Sequence, residues 1–208
     1  MRLAPTRVDA ILFDLLMAVM NSLEVWSGAA GDQRRGLEWR YGVTRRMAAS
    51  PTYVPYEELV VGAAADLGLP HDAASELFDR WREMEPWPDS AALSRLELPY
   101  AFVTNSSKPL AHIAAEQAQL APRFVLSAEE AGWYKPNPRI YEEACRRLGS
   151  PPDSTLFVAG SPYDADGAAA AGLQAALVAR RPGDAASEPR IRVAGSLHDI
   201  VTELASAS

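Results

Sequence analysis

The sequence predicts an α/β fold: a parallel sheet with helices on both faces and an inserted all-helical subdomain early in the chain. Three observations predict it. A short apolar, β-compatible run ending in an acid, "AILFD", stands near the start. Strand-like and helix-like segments alternate through the second half, the pattern of parallel strands joined by crossover helices. Between the two lies a stretch that reads as helix alone, closed by the Pro-rich break "MEPWPDS" at 84–90.

Taken in order, residues 8–13 are apolar apart from Asp9, as a mostly buried strand should be. Residues 32–47 carry Leu37, Trp39, Tyr41, Val43 and Met47 among many Arg and read as a helix. Two more helices follow at 56–67 and 72–84, the second with Asp72 as N-cap. After the break come a strand at 100–104, a helix at 110–119 and a strand at 124–126. A helix at 137–148 has Pro138 in its first turn. A strand at 155–159, a helix at 165–171, a strand at 175–178 and a helix at 196–205 complete the pattern, with "RRPGDAASEP" as a polar loop. The simplest assembly has a core from 1–19 and 91–208, and a helical cap from 20–90.

Composition narrows the function. The 208 residues are 48% hydrophobic and 23% charged, ordinary for a soluble globular chain. A net charge of −7 and a pI near 5.0 oppose nucleic acid or an anionic membrane as the main partner. A small anionic substrate in a locally positive pocket stays compatible. Cys145 is the sole cysteine, so no disulfide framework or CxxC metal site exists, and it reads as a small apolar helix residue. His71, His112 and His198 lack metal-ligand spacing. No signal-peptide or membrane-spanning run is present, which predicts a cytoplasmic protein. The Arg-rich, Ala-rich composition has only two lysines, Lys108 and Lys135, and suits a high-GC bacterium.

Ligands of open α/β sheets sit at the C-terminal strand ends. Asp14, Thr104 with Asn105, and the segment 159–164 all fall there. Read singly, each has a bland alternative. Asp14 and Asp164 suit helix N-caps, "FVTNSS" suits a turn, and Lys135 in "WYKPNPRIY" suits a solvated surface.

Together and in this order they resemble the four-motif layout of the haloacid dehalogenase-like hydrolase superfamily over nearly the whole chain. The L-2-haloacid dehalogenases are the nearest match. "YKPNPRIYEEA" resembles their Lys segment, with Lys135 and Tyr141 in matching places. "VTNSS" resembles their second motif, with Thr104 for its Ser and Asn105 kept. "LFVAGSPYDADGA" keeps the register of their last motif and ends on Asp164. The resemblance implies a Rossmann-like core, Asp14 as nucleophile, Lys135 and Asp164 as its catalytic partners, and commonly a homodimer; a heteromeric partner is left open.

The departures matter as much. Phosphatases of the superfamily carry a second Asp two residues after the nucleophile and a Gly-Asp pair early in the last motif. Here Leu16 and the pair Ala159–Gly160 stand there. Leu16 transfers no proton, and two carboxylates make a poor Mg²⁺ site; neither metal nor other cofactor is expected. The dehalogenases' Tyr, Gly and Thr after the nucleophile are Leu16, Met17 and Ala18, and Ser161 replaces an Asn. Their cap Arg aligns with Gln33, so Arg34 or Arg40 is the substitute anion clamp, each also readable as a solvent-facing helix Arg. Trp39 is a candidate pocket wall. The missing polar groups imply a drier pocket with less support for the nucleophile.

Three readings stay open. Asp14 attacks an sp³ carbon of a small carboxylate, displacing halide or another anion that leaves without acid help, and water splits the resulting ester. Alternatively a dry pocket promotes intramolecular displacement or elimination, closing a ring. Or the chain is a non-catalytic subunit.

Overall fold

A computed structural model describes residues 7–181 and 183–207. Its centre is a six-stranded, wholly parallel sheet in the order β3-β2-β1-β4-β5-β6. The strands are β1 (Ala10–Asp14), β2 (Tyr100–Thr104), β3 (Val125–Ser127), β4 (Thr155–Ala159), β5 (Gln174–Val178) and β6 (Arg192–Ala194). β1, β2 and β4 are buried along their full length, which explains their continuous apolar runs. The chain winds outward from β1 through β2 to β3, then returns to β4 on its other side. β1 and β4 therefore flank the switch point, where a crevice opens at the carboxyl ends of the strands.

Four helices lie between β1 and β2: α1 (Ser22–Ala30), α2 (Gln33–Ala49), α3 (Tyr56–Asp66) and α4 (Ala73–Asp79). Short 3₁₀ stretches, Arg80–Glu83 and Pro88–Arg95, return the chain to the sheet. The outgoing and returning chains pair antiparallel at Met20 and Pro86. Helices α1 and α2 pack so closely that a Cβ on Gly36 would fall 2.7 Å from the Ser27 backbone. Around the sheet lie α5 (Lys108–Gln117), α6 (Ala128–Ala131), α7 (Pro138–Leu148), α8 (Pro162–Ala170) and α9 (Leu197–Ala207).

Four differences from the sequence reading stand out. Helix α1 was not expected, because Gly28 and the small residues around it blur its apolar period. Strand β6 was not expected either; it has three residues, its Val193 faces solvent, and no apolar run marks it. The expected helix at 72–84 closes after one α-helical and one 3₁₀ segment, and Asp72 makes no side-chain cap bond. The stretch Pro88–Arg95 spans the expected boundary at residue 90 and packs on α9. No helix among the described residues is long and apolar enough to cross a membrane.

Candidate active site

Asp14 closes β1 and caps one wide helical turn, Leu15–Val19, in which the Met20 N–H reaches back to the Leu15 carbonyl at 2.9 Å. Its Oδ2 accepts from the backbone N–H groups of Met17 (3.0 Å) and Ala18 (3.3 Å). Three carbonyls of the turn are tied down from outside. Trp87 Nε1 donates to the Met17 carbonyl (3.0 Å), Arg180 Nη2 to Ala18 (2.5 Å) and Ser90 Oγ to Val19 (2.5 Å). The turn thus keeps its backbone hydrogen bonds despite having no polar side chain of its own. This corrects the expectation that the altered motif leaves Asp14 poorly supported.

Gly160 completes the floor. A Cβ there would stand 2.3 Å from both the Ala18 nitrogen and the Met17 carbonyl carbon. Only glycine lets the last-motif loop approach the turn this closely.

Lys135 is 1% exposed and lies between two acids. Its Nζ donates to Asp14 Oδ1 at 2.7 Å, to Asp164 Oδ2 at 2.8 Å and to the Val103 carbonyl at 3.4 Å. All three ammonium protons are used. Burial alone would pull the Lys135 pKa down, but the two carboxylates outweigh it, and the net shift is upward. The Asp164 carboxyl is raised, first by burial and further by Asp14, with Lys135 opposing. Asp164 sits in the first turn of α8, where the helix dipole favours negative charge, and Ser161 Oγ accepts its backbone N–H at 3.3 Å.

These groups open on a cavity of about 120 Å³ between the strand ends and α2. Leu16, Trp26, Leu37, Val43 and Met47 give it an apolar wall, and Arg40, Tyr56 and Arg181 add polar groups to the same lining. Arg40 Nη1 contacts Met17 Sδ and donates to Ser22 Oγ at 3.1 Å, while its guanidinium carbon lies 5.9 Å from the Trp26 ring centre. Burial lowers the Arg40 pKa, with Tyr56 and Asp14 acting in the opposite direction.

Asp14, Lys135 and Asp164 thus come together as expected, and Leu16, Ser161, Asn105 and Arg40 line the cavity. Four candidate binding residues do not line it. Gln33 is exposed at the start of α2 and faces a separate outer cavity beside Glu24 and Arg180. Trp39 is wholly buried, with Nε1 on the Val60 carbonyl at 2.9 Å; its neighbour Arg40, about 100° round the helix, takes the cavity side. Thr104 is buried and contacts Ser106 Oγ at 3.4 Å. Tyr141 donates to the Asp164 carbonyl at 3.2 Å and braces α8 from behind. Asn105 spends both ends of its amide on the Lys135 backbone, accepting its N–H at 2.7 Å and donating to its carbonyl at 3.1 Å. Arg34 pairs with Glu38 in solvent.

Sequence reasoning missed Trp26 and Tyr56, which reach the cavity from helices α1 and α3. Neither belongs to a spaced motif, and only the packing of those helices reveals them. Among the described residues no three His, Cys, Asp or Glu side chains form a metal-ligand group. Asp14 and Asp164 are spent on Lys135, and Gly160 leaves no room for a side chain at the position that aligns with the Asp of the phosphatases' Gly-Asp pair.

Comparison with known proteins identifies the family and the fold. The sequence model of the haloacid dehalogenase-like hydrolases matches residues 8–172. The chain belongs to this family. Among its relatives, (S)-2-haloacid dehalogenase 1 of a Pseudomonas species is 26% identical over 204 residues, covering 91% of this chain and 90% of that one. A phosphoserine phosphatase of Thermus thermophilus is 32% identical over 190 residues, 84% of this chain and 76% of that one. The crystal structure of the L-2-haloacid dehalogenase PA0810 superposes with a TM-score of 0.79 at 26% identity, covering 95% of this chain and 99% of that one. The parallel six-stranded sheet is the family's Rossmann-like fold.

Proposed function

We propose that this chain is a metal-independent hydrolase that displaces halide, or another stable anion, from an sp³ carbon of a small carboxylate. The observation that carries the reading is the state of Asp14. Its Oδ2 is filled by two backbone N–H groups, while Oδ1 accepts one hydrogen bond from Lys135 and keeps a lone pair. Oδ1 is therefore the attacking atom. Lys135 keeps the carboxylate ionised and fixed in direction.

In the first step Oδ1 forms a bond to the substrate carbon, and the leaving group departs with its electron pair. Water then adds to the Asp14 acyl carbon, returning the carboxylate and releasing the alcohol. The net change replaces carbon–halide by carbon–hydroxyl and yields one proton, for which Asp164, with its raised proton affinity, is a suitable first acceptor. Leu16 stands at the cavity where a general acid would be needed, which restricts the leaving group to anions that depart unaided. Helices α1 to α4 act as a cap that keeps bulk water from the apolar wall.

The phosphatase among the relatives makes the competing reading concrete. Phosphoryl transfer depends on a metal charge to offset the phosphate, and this donor set does not supply its ligands. Hydrolysis also fits the family better than ring closure or a non-catalytic role.

The test is anion release from 2-halo acids, alkyl sulfates and phosphate esters, with and without chelator, in wild type and Asp14→Asn. The expected result is chelator-insensitive halide release that falls at least ~10³-fold in the variant, as removal of a nucleophile does. A single turnover in ¹⁸O-water should label Asp14. Chelator-sensitive phosphate release would overturn the reading, and an unlabelled Asp14 together with a product that carries no solvent oxygen even after many turnovers would move it to ring closure.

A further inference from the structure

Tyr56 has no place in the motifs, yet it is 4% exposed and lines the cavity beside Arg40. Its hydroxyl makes no hydrogen bond to any described residue, while its backbone N–H donates to the Tyr53 hydroxyl at 3.2 Å. The ring is held by edge contact with Trp81, centroids 6.4 Å apart. A rigid phenol thus presents an unused donor. Burial raises its pKa, with Arg40 opposing, so the proton stays on.

Arg40 is in a comparable condition. It is a part-buried cation that forms no ion pair with a carboxylate among the described residues, although Asp14 and Asp164 act on it through space. Its protein contacts are a thioether, a weak acceptor, and one hydroxyl. Nε and Nη2 have no hydrogen bond to a described residue. Of the other two cations of the lining, Lys135 is paired with Asp14 and Asp164, and Arg181 is paired with Asp184 at 2.9 Å and bonded to the Tyr41 hydroxyl at 3.1 Å. A partly desolvated guanidinium lining a cavity with donors unused is matched to an anion.

We propose that Arg40 and the Tyr56 hydroxyl together form the clamp for the substrate's carboxylate, taking over from the Gln33 position, and that Tyr56 is a specificity-determining residue. The inference rests on the site assignment above but not on turnover. With its carboxylate on Arg40 and Tyr56, a substrate turns its reactive carbon toward Asp14 and its substituent toward Trp26, Val43 and Met47. A cavity of ~150 Å³ takes benzene, so a space of about 120 Å³ suits a small acid with one short apolar substituent.

Binding by calorimetry tests this without any reaction. The probes are 2-methylpropanoate and its isosteric amide, titrated into wild type, Tyr56→Phe, Arg40→Gln and Arg40→Lys. The carboxylate should bind wild type and the amide should not. Loss of a hydrogen bond to a charged group predicts about 10-fold weaker carboxylate binding in Tyr56→Phe, and Arg40→Gln should abolish it. Arg40→Lys should recover part of the binding, separating charge from folding. Equal binding of carboxylate and amide, no carboxylate binding to wild type, or an unchanged affinity in Tyr56→Phe would overturn the proposal. Carboxylate binding with the expected variant pattern, but no anion release from any substrate, would leave the clamp standing and sink the hydrolase reading instead.

Discussion

On the sheet side of the cavity, Lys135 gives its three donors to two carboxylates and a carbonyl, all buried. On the helical side, Arg40 has a thioether and a hydroxyl, and Tyr56 offers a hydroxyl that no described residue takes up. One wall is satisfied before a ligand arrives; the other is completed by a ligand. A satisfied ionic cluster holds the Asp14 carboxylate in one orientation. An unsatisfied cation and phenol stand in a site whose strongest interactions are reserved for the bound state.

The largest effect expected from this contrast lies on the sheet side. Removing Lys135 leaves Asp14 and Asp164 buried and facing each other without a cation. Breaking a buried ion pair from one end costs about 3–5 kcal/mol. Lys135→Met should lose stability of that order in urea denaturation and lose anion release altogether, whereas Arg40→Gln should unfold close to wild type. Equal destabilisation by the two variants would mean that Arg40 is as firmly integrated as Lys135, and the contrast between the walls would fail.

A smaller effect is a pH dependence carried by Asp164. Burial, reinforced by Asp14, raises its folded pKa above the ordinary 3.8 in spite of Lys135. A carboxyl that holds its proton more tightly in the folded state burdens the fold above the folded pKa. That burden lifts as pH falls through the folded pKa toward 3.8. Asparagine carries no such term. Wild type should therefore gain stability relative to Asp164→Asn as pH falls from 7 to 4, read from paired denaturation midpoints. Lys135 works in the opposite range: its raised pKa contributes stability below 10.5 that is lost as pH rises beyond it through the folded value. A flat difference between the two proteins from pH 7 to 4 would place Asp164 in a solvated setting.

The two walls were also unequally legible. Asp14, Lys135 and Asp164 could be placed from the sequence because strand ends converge in any parallel sheet, and an apolar run followed by an acid marks such an end. Strand β4 and its loop carry their own boundary signals. The helical wall has no equivalent. Trp39 and Arg40 are adjacent in sequence, and which of them meets the cavity depends on how α2 is rotated against α1 and α3. That rotation is set by contacts such as Gly36 on the Ser27 backbone, which no spacing rule reveals. Thr104 and Tyr141 were recognised as motif positions, but the motif does not say that one is sealed in the core and the other braces α8.

The smallest effect separates alignment from geometry. Gln33 aligns with the cap Arg of the dehalogenases, and a motif argument would assign it the substrate carboxylate. In the fold it is exposed at the first turn of α2 and lines the outer cavity, with Met17 and Arg181 shared between that space and the inner one. An exposed side chain without a buried partner contributes within about 0.5 kcal/mol to stability. Gln33→Ala should leave the denaturation midpoint unchanged and carboxylate binding within about 2-fold, since it touches neither Arg40 nor Tyr56. A 10-fold loss would put the carboxylate at the alignment's position and require α2 to turn when substrate binds. An unchanged affinity, set against the loss in Arg40→Gln, would show that the clamp moved two turns along the same helix while the sheet side kept its place.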